Sequence, residues 1–320
     1  MKKNKILVTR KLPEEVLARA DKTYDCRFND ADVPWSSDEL VDQCSGMDGV
    51  LCTSANRFTK DVLLALPRSI KIIATYSVGF EHIDLIEAKS SGITVTNTPE
   101  AVTESTADIA LFLLLAAARR AREALNIAVS GAWDGWSPTQ LLGIEPRGRR
   151  LGILGMGRIG QAVAKRARSF GMEIHYHNRS RLPQSLEGAS IYHSSANELF
   201  LVSDFLSINC ELTESTRKII NAETIDLFPN NPIIVNTSRG GVIDDEALIA
   251  ALKSGRIAGA GLDVFDNEPD INSKYFSLEN AFILPHIGSA TVDCRNQMGF
   301  RALDNLDAFF NGDNPHDKLC

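Results

Sequence analysis

The stretch Arg150-Leu-Gly-Ile-Leu-Gly155-Met-Gly157-Arg-Ile-Gly160 most restricts the folds open to this chain. An apolar, strand-like run enters G-x-G-x-x-G, and a helical pattern follows over 161–170. After Gly171 a second strand pattern, Glu173–His177, completes a β-α-β unit. Such a unit demands a parallel sheet with a crossover helix. Gly155 suits a tight turn, Gly157 a close backbone approach to a pyrophosphate, and Gly160 close packing of helix on strand. The helix N-terminus adds unpaired N–H groups and a positive dipole end. Gly155, Met156, Gly157, Arg158, Ile159 and Gly160 are therefore read as a dinucleotide loop.

Strand and helix patterns alternate on either side of this motif. Before it, strands are expected at 5–9, 49–53, 70–75 and 93–96, with helices at 13–22, 37–44, 60–66 and 82–90. A long apolar helix over 104–129 and an irregular stretch over 131–150 come next. A second α/β series runs from 151 to 287, and a last helix over 291–310. Two such series predict an α/β fold of two doubly wound domains, 1–98 plus 291–320 and 99–290, with a cleft between them.

The balance of 34 Lys and Arg against 41 Asp and Glu gives −7, with no basic block, which argues against a nucleic-acid partner. Only Ile6, Leu7 and Val8 follow the basic start before Thr9 and Arg10, so no signal h-region is expected. The longest apolar run, 109–118, is about half a membrane span and reads as a buried helix. The six cysteines (26, 44, 52, 210, 294, 320) show no CxxC spacing and fit a reducing, cytoplasmic setting. No metal site is expected: His175 and His177 read as packing residues.

The end of the second strand selects the dinucleotide. An NAD enzyme places Asp or Glu there for the ribose 2′-OH. This chain has Asn178-Arg179-Ser180-Arg181, two guanidiniums and a hydroxyl suited to a 2′-phosphate, so NADP(H) is expected over NAD(H).

Three further motifs each follow an apolar strand: Asn236-Thr-Ser-Arg239-Gly-Gly, Asp263-Val-Phe-Asp-Asn-Glu268-Pro and Pro285-His286-Ile-Gly288-Ser-Ala-Thr. This ordered Arg, Glu and His set resembles the signature of the D-isomer-specific 2-hydroxyacid dehydrogenases, and the chemistry that the resemblance implies explains the residue types: hydride delivered to the keto carbon of a 2-keto acid builds charge on its oxygen, and a histidine titrating near neutrality can supply the proton, here His286. A carboxylate on the other ring nitrogen would orient it: Glu268. A permanent forked cation, Arg239, suits the substrate's carboxylate and carbonyl. The resemblance extends over nearly the whole chain and is closest to the NADP-dependent glyoxylate/hydroxypyruvate reductases.

The resemblance implies a flavodoxin-like substrate-binding domain and a Rossmann NAD(P)-binding domain. It implies catalytic Arg239, Glu268 and His286, with Val78 and Gly79 holding the substrate carboxylate by backbone N–H groups. Asp263 is expected at the nicotinamide carboxamide and Thr237 near the nicotinamide ribose. Thr106, Cys210, Ser238, Gly288, Arg239 and His286 are expected along the cofactor groove. The segment 51–57, with Ser54 and Asn56, would form the far wall of the substrate pocket. A homodimer is implied, with Trp133 and Trp136 in the exchanged segment. The expected reaction is NADPH-dependent reduction of small 2-keto acids to (R)-2-hydroxy acids. The alternatives are phosphite or phosphoglycerate dehydrogenase, or a non-catalytic NAD(P)H sensor.

Overall fold

The chain is described over residues 3–320 by a computed structural model. Its Cα positions divide it into two compact units, one running to Val102 and resuming at Ala290–Cys320, the other Thr103–Ser289. The boundaries lie at 102/103 and 289/290, against the expected 98/99 and 290/291. Residues 99–102 stay with the first unit, where Cys294 Sγ reaches Ala101 O at 3.3 Å.

The first unit alternates β1 (Lys5–Val8), α1 (Glu14–Thr23), β2 (Asp25–Phe28), α2 (Ser37–Gln43), β3 (Gly49–Cys52), α3 (Lys60–Ala65), β4 (Ile72–Thr75), α4 (Leu85–Ser90) and β5 (Thr94–Thr96). Helix starts are written in the sequence. Ser36, Thr59 and Asp84 each accept a backbone N–H three residues on, and Ser36 with Glu39 closes a capping box. The strands pair in parallel in the order β2-β1-β3-β4-β5, the flavodoxin-like doubly wound arrangement. β3 and β4 are buried at every residue, as expected for a parallel sheet covered on both faces. The C-terminal helix Val292–Phe310 is capped by Thr291, and the tail after it returns to the sheet, where Leu319 N donates to Val95 O at 2.8 Å.

In the second unit α5 (Thr103–Ala118) and α6 (Ala121–Val129) precede β6 (Arg150–Leu154), α7 (Arg158–Ser169), β7 (Glu173–His177), α8 (Gln184–Glu187) and β8 (Ile191–His193). Then come α9 (Ala196–Phe200), β9 (Phe205–Ile208), α10 (Ala222–Ile225), β10 (Ile233–Asn236), α11 (Asp245–Ser254), β11 (Gly259–Leu262) and β12 (Ala281–Ile283). All seven strands are parallel, ordered β12-β11-β10-β9-β6-β7-β8. Side chains alternate between two cores: Leu206 and Ile208 of β9 join Leu248 and Leu252 on one face, while Phe205 joins Leu113, Leu114 and Val163 on the other.

The single helix expected over 104–129 is two. Arg120 adopts a left-handed conformation (φ 52°), and Ile144 N takes the Ala118 carbonyl at 2.8 Å, which ends α5. α6 buries none of its residues. It presents Leu125 and Val129 to solvent, and Trp133, Trp136 and Leu142 beyond it are 63%, 81% and 65% exposed. Among the described residues no helix is long and apolar enough to cross a membrane.

Candidate active site

Every chemically marked motif of the second unit follows the carboxyl end of a strand of its parallel sheet, where ligands of doubly wound folds bind. Gly155 leaves β6 at φ +96°, and a Cβ there would lie 2.6 Å from Cys210 N. At Gly160 a Cβ would collide with the Gly155 carbonyl, so close packing of α7 on the turn requires glycine. Gly157 caps α7 without a side-chain hydrogen bond and has open space before it. The first amides of a twelve-residue helix are thus left without a side-chain cap, which suits a dinucleotide pyrophosphate. The buried Thr237 Oγ1 after β10 and Asn209 Oδ1 after β9 lack hydrogen-bond partners, acceptor capacity that a bound cofactor could use. Asn209 had no motif to mark it; its adjacency to Cys210 beside the glycine turn was the one available signal.

The turn after β7 has side-chain partners of its own. Asn178 Oδ1 accepts from Met156 N at 3.1 Å and so ties the turn to the glycine loop. Arg181 does not stand free beside Arg179. Its Nε and Nη2 lie 3.0 and 2.8 Å from Glu187 Oε1 and Oε2, and its guanidinium lies over Tyr192 at 5.7 Å. Arg179 and Ser180 remain exposed. His175, expected to pack, joins Glu173 and His193 through its two ring nitrogens at 2.7 and 2.8 Å.

The catalytic candidates lie after β10, β11 and β12. His286 Nδ1 is 2.6 Å from Glu268 Oε2, and Glu268 Oε1 accepts from Phe265 N at 2.8 Å. Burial alone would raise the Glu268 carboxyl, but His286, the Phe265 amide and nearby Arg239 together hold it below the usual range. A carboxylate can only accept, so an ionised Glu268 takes the proton of Nδ1, and this contact does not engage Nε2. His286 sits at φ +54°, a costly conformation for a side chain with a Cβ. Asp263 restrains it: its two carboxylate oxygens accept from Ile287 N and Gly288 N, both at 2.7 Å. Asp263, expected at the carboxamide, thus spends acceptor capacity on the histidine loop, and burial pushes its carboxyl upward. Ser105 Oγ ties Gly288 O to α5 at 2.9 Å, and the buried Thr106 packs beside Gly288. In the arginine loop Asn236 Nδ2 donates to Arg239 O at 2.9 Å, and Asn236 Oδ1 accepts from Ser238 N and Oγ.

Residues 111–288 match the model of the D-isomer-specific 2-hydroxyacid dehydrogenase NAD-binding domain. The chain is 44% identical over 314 residues to a glycerate dehydrogenase from Hyphomicrobium methylovorum, covering 98% of each. The chain belongs to the D-isomer-specific 2-hydroxyacid dehydrogenase family. This dehydrogenase is also 42% identical over 318 residues to a glyoxylate reductase from Thermococcus litoralis, covering 98% of the chain and 96% of the relative. A solved NADPH-dependent glyoxylate/hydroxypyruvate reductase from Sinorhizobium meliloti, in complex with NADP and malonate, superposes with TM-score 0.88 at 32% identity, covering 100% and 97%.

In the first unit of the dehydrogenase, the loop after β4 is held by its carbonyls. Asn97 Nδ2 donates to Val78 O and Ser77 Oγ to Gly79 O, each at 2.7 Å. Among the described residues the amides of Val78 and Gly79 donate to no backbone carbonyl. Of the expected far wall, Ser54 is exposed. Asn56 is buried, accepting Thr9 Oγ1 at 2.6 Å, so it braces the loop from within.

Proposed function

We propose that this dehydrogenase reduces small 2-keto acids, glyoxylate and hydroxypyruvate, to (R)-2-hydroxy acids with NADPH. The observation that carries the reading is the 2.6 Å contact between His286 Nδ1 and Glu268 Oε2, whose carboxyl is held below its usual range. That contact orients the ring and leaves Nε2 to give its proton to the substrate's carbonyl oxygen. A bound nicotinamide supplies the hydride to the keto carbon. Arg239 pairs with the substrate's carboxylate and stabilises charge on the reacting oxygen, and the Val78 and Gly79 amides hold the carboxylate. The imidazole recovers its proton from solvent after product forms.

The loop Gly155–Gly160 cradles the pyrophosphate in this reading, and Arg179 and Ser180 take the 2′-phosphate. Thr106, Cys210, Ser238 and Gly288 line the cofactor groove, with Asp263 at the nicotinamide carboxamide and Thr237 near its ribose. Relatives named for glyoxylate and glycerate support a small acid. The test follows loss of NADPH absorbance with a graded panel of 2-keto acids, repeated with NADH. Glyoxylate and hydroxypyruvate should turn over best, and kcat/KM should favour NADPH by about tenfold or more, the worth of one or two charge-assisted contacts. No turnover of any keto acid overturns the reaction; equal efficiency with both cofactors overturns the NADPH assignment.

The working form is proposed to be a homodimer. Leu125, Val129, Trp133, Trp136 and Leu142 form a run of exposed apolar side chains that a second copy would cover. Sedimentation should give twice the chain mass, and Trp136→Ser with Val129→Ser should shift it toward the monomer. The six free thiols support a reducing, cytoplasmic setting.

A further inference from the structure

We infer that Glu187 sets how strongly the cofactor turn favours a 2′-phosphate, by neutralising Arg181 and holding it aside. The inference rests on the NADPH reading and deepens it. Glu187 is 6% exposed, and its two oxygens take both Nε and Nη2 of Arg181. The same carboxylate accepts the Tyr176 hydroxyl at 2.7 Å, and that hydroxyl accepts from Leu182 N at 3.1 Å. These partners hold the Glu187 carboxyl below its usual range, Arg181 contributing most. Stacking over Tyr192 further fixes the Arg181 guanidinium.

The turn does not need this ion pair for its shape. It is tied at one end by Asn178 to Met156 N and at the other by Leu182 N to Tyr176. The pair instead removes one of two positive charges from a segment expected to meet a dianionic phosphate. One arginine, Arg179, and the Ser180 hydroxyl are left to do so. The chain thus carries a built-in limit on its discrimination against NADH.

Glu187→Gln tests this, because its amide oxygen still accepts from Tyr176 while the charge is gone. Steady-state KM is measured for NADPH and NADH, with competitive inhibition by 2′,5′-ADP and 5′-AMP. Arg181, no longer neutralised, should strengthen binding of NADPH and 2′,5′-ADP about three- to fivefold, the scale of one exposed charge contact, and steepen its salt dependence. NADH and 5′-AMP should stay within about twofold. The double variant Glu187→Gln, Arg181→Ala should return to wild-type values, since it removes a neutral pair. Unchanged or weaker NADPH binding in the single variant overturns the inference. So does a several-fold loss in the double variant, which would make Arg181 a phosphate ligand within the pair. Thermal melting checks the fold; if the single variant unfolds, the double variant still decides. Equal wild-type use of both cofactors refutes the NADPH reading, whereas the change in 2′,5′-ADP inhibition reports on Glu187 alone.

Discussion

Replacing His286 by alanine should lower kcat for keto-acid reduction by about 10²–10⁴-fold, the usual worth of a positioned general acid. NADPH binding, read by quenching of protein fluorescence, should stay within about twofold, because the ring contributes a proton rather than the main cofactor contacts. Geometry explains the size of the effect. Glu268 fixes Nδ1, and Asp263 fixes the backbone through the two amides that follow the histidine. The ring is held on both sides before substrate arrives, so its removal costs a preorganised donor that water cannot replace. Full activity in His286→Ala would remove this residue from the mechanism. Equal loss of turnover and cofactor binding would recast it as structural.

Arg239→Ala should reduce kcat/KM for glyoxylate by about 10³-fold, as expected when a charged group on a developing oxyanion is lost. Part of that loss should appear in KM, since the guanidinium is also proposed to hold the substrate carboxylate. Arg239→Lys should recover only a fraction, because an ammonium keeps the charge without the planar fork. The loop around Arg239 is organised by Asn236 through backbone groups, so neither variant should unsettle the fold. Melting temperature within a few degrees of wild type is the control, and unchanged kcat/KM in the alanine variant would refute the role.

The glycine loop and the three strand-end motifs were legible because each needs a residue type at a fixed distance from an apolar strand. Parallel topology then delivers strand ends to one side of a sheet without further instruction. Contacts across unrelated segments were not legible. The pattern over 104–129 carried one apolar periodicity, which the left-handed Arg120 and the Ile144 amide donating to the Ala118 carbonyl break. Asp263 was legible as a cofactor candidate, but the grip of its two oxygens on the amides of the histidine loop was not, because it joins residues more than twenty positions apart.

By itself the sequence determined that the chain is a two-part parallel α/β protein with a dinucleotide loop and an Arg, Glu, His set. Local chemistry suffices for those: strand periodicity, glycine permissiveness and the spacing of motif to strand. Only the tertiary structure decided how the charges are spent. Whether Arg181 faces a phosphate or a buried carboxylate, and whether His286 keeps one ring nitrogen for chemistry, depends on side-chain partners brought close by packing. Charge on a side chain is a property of the residue; its availability is a property of what the fold places within hydrogen-bonding distance.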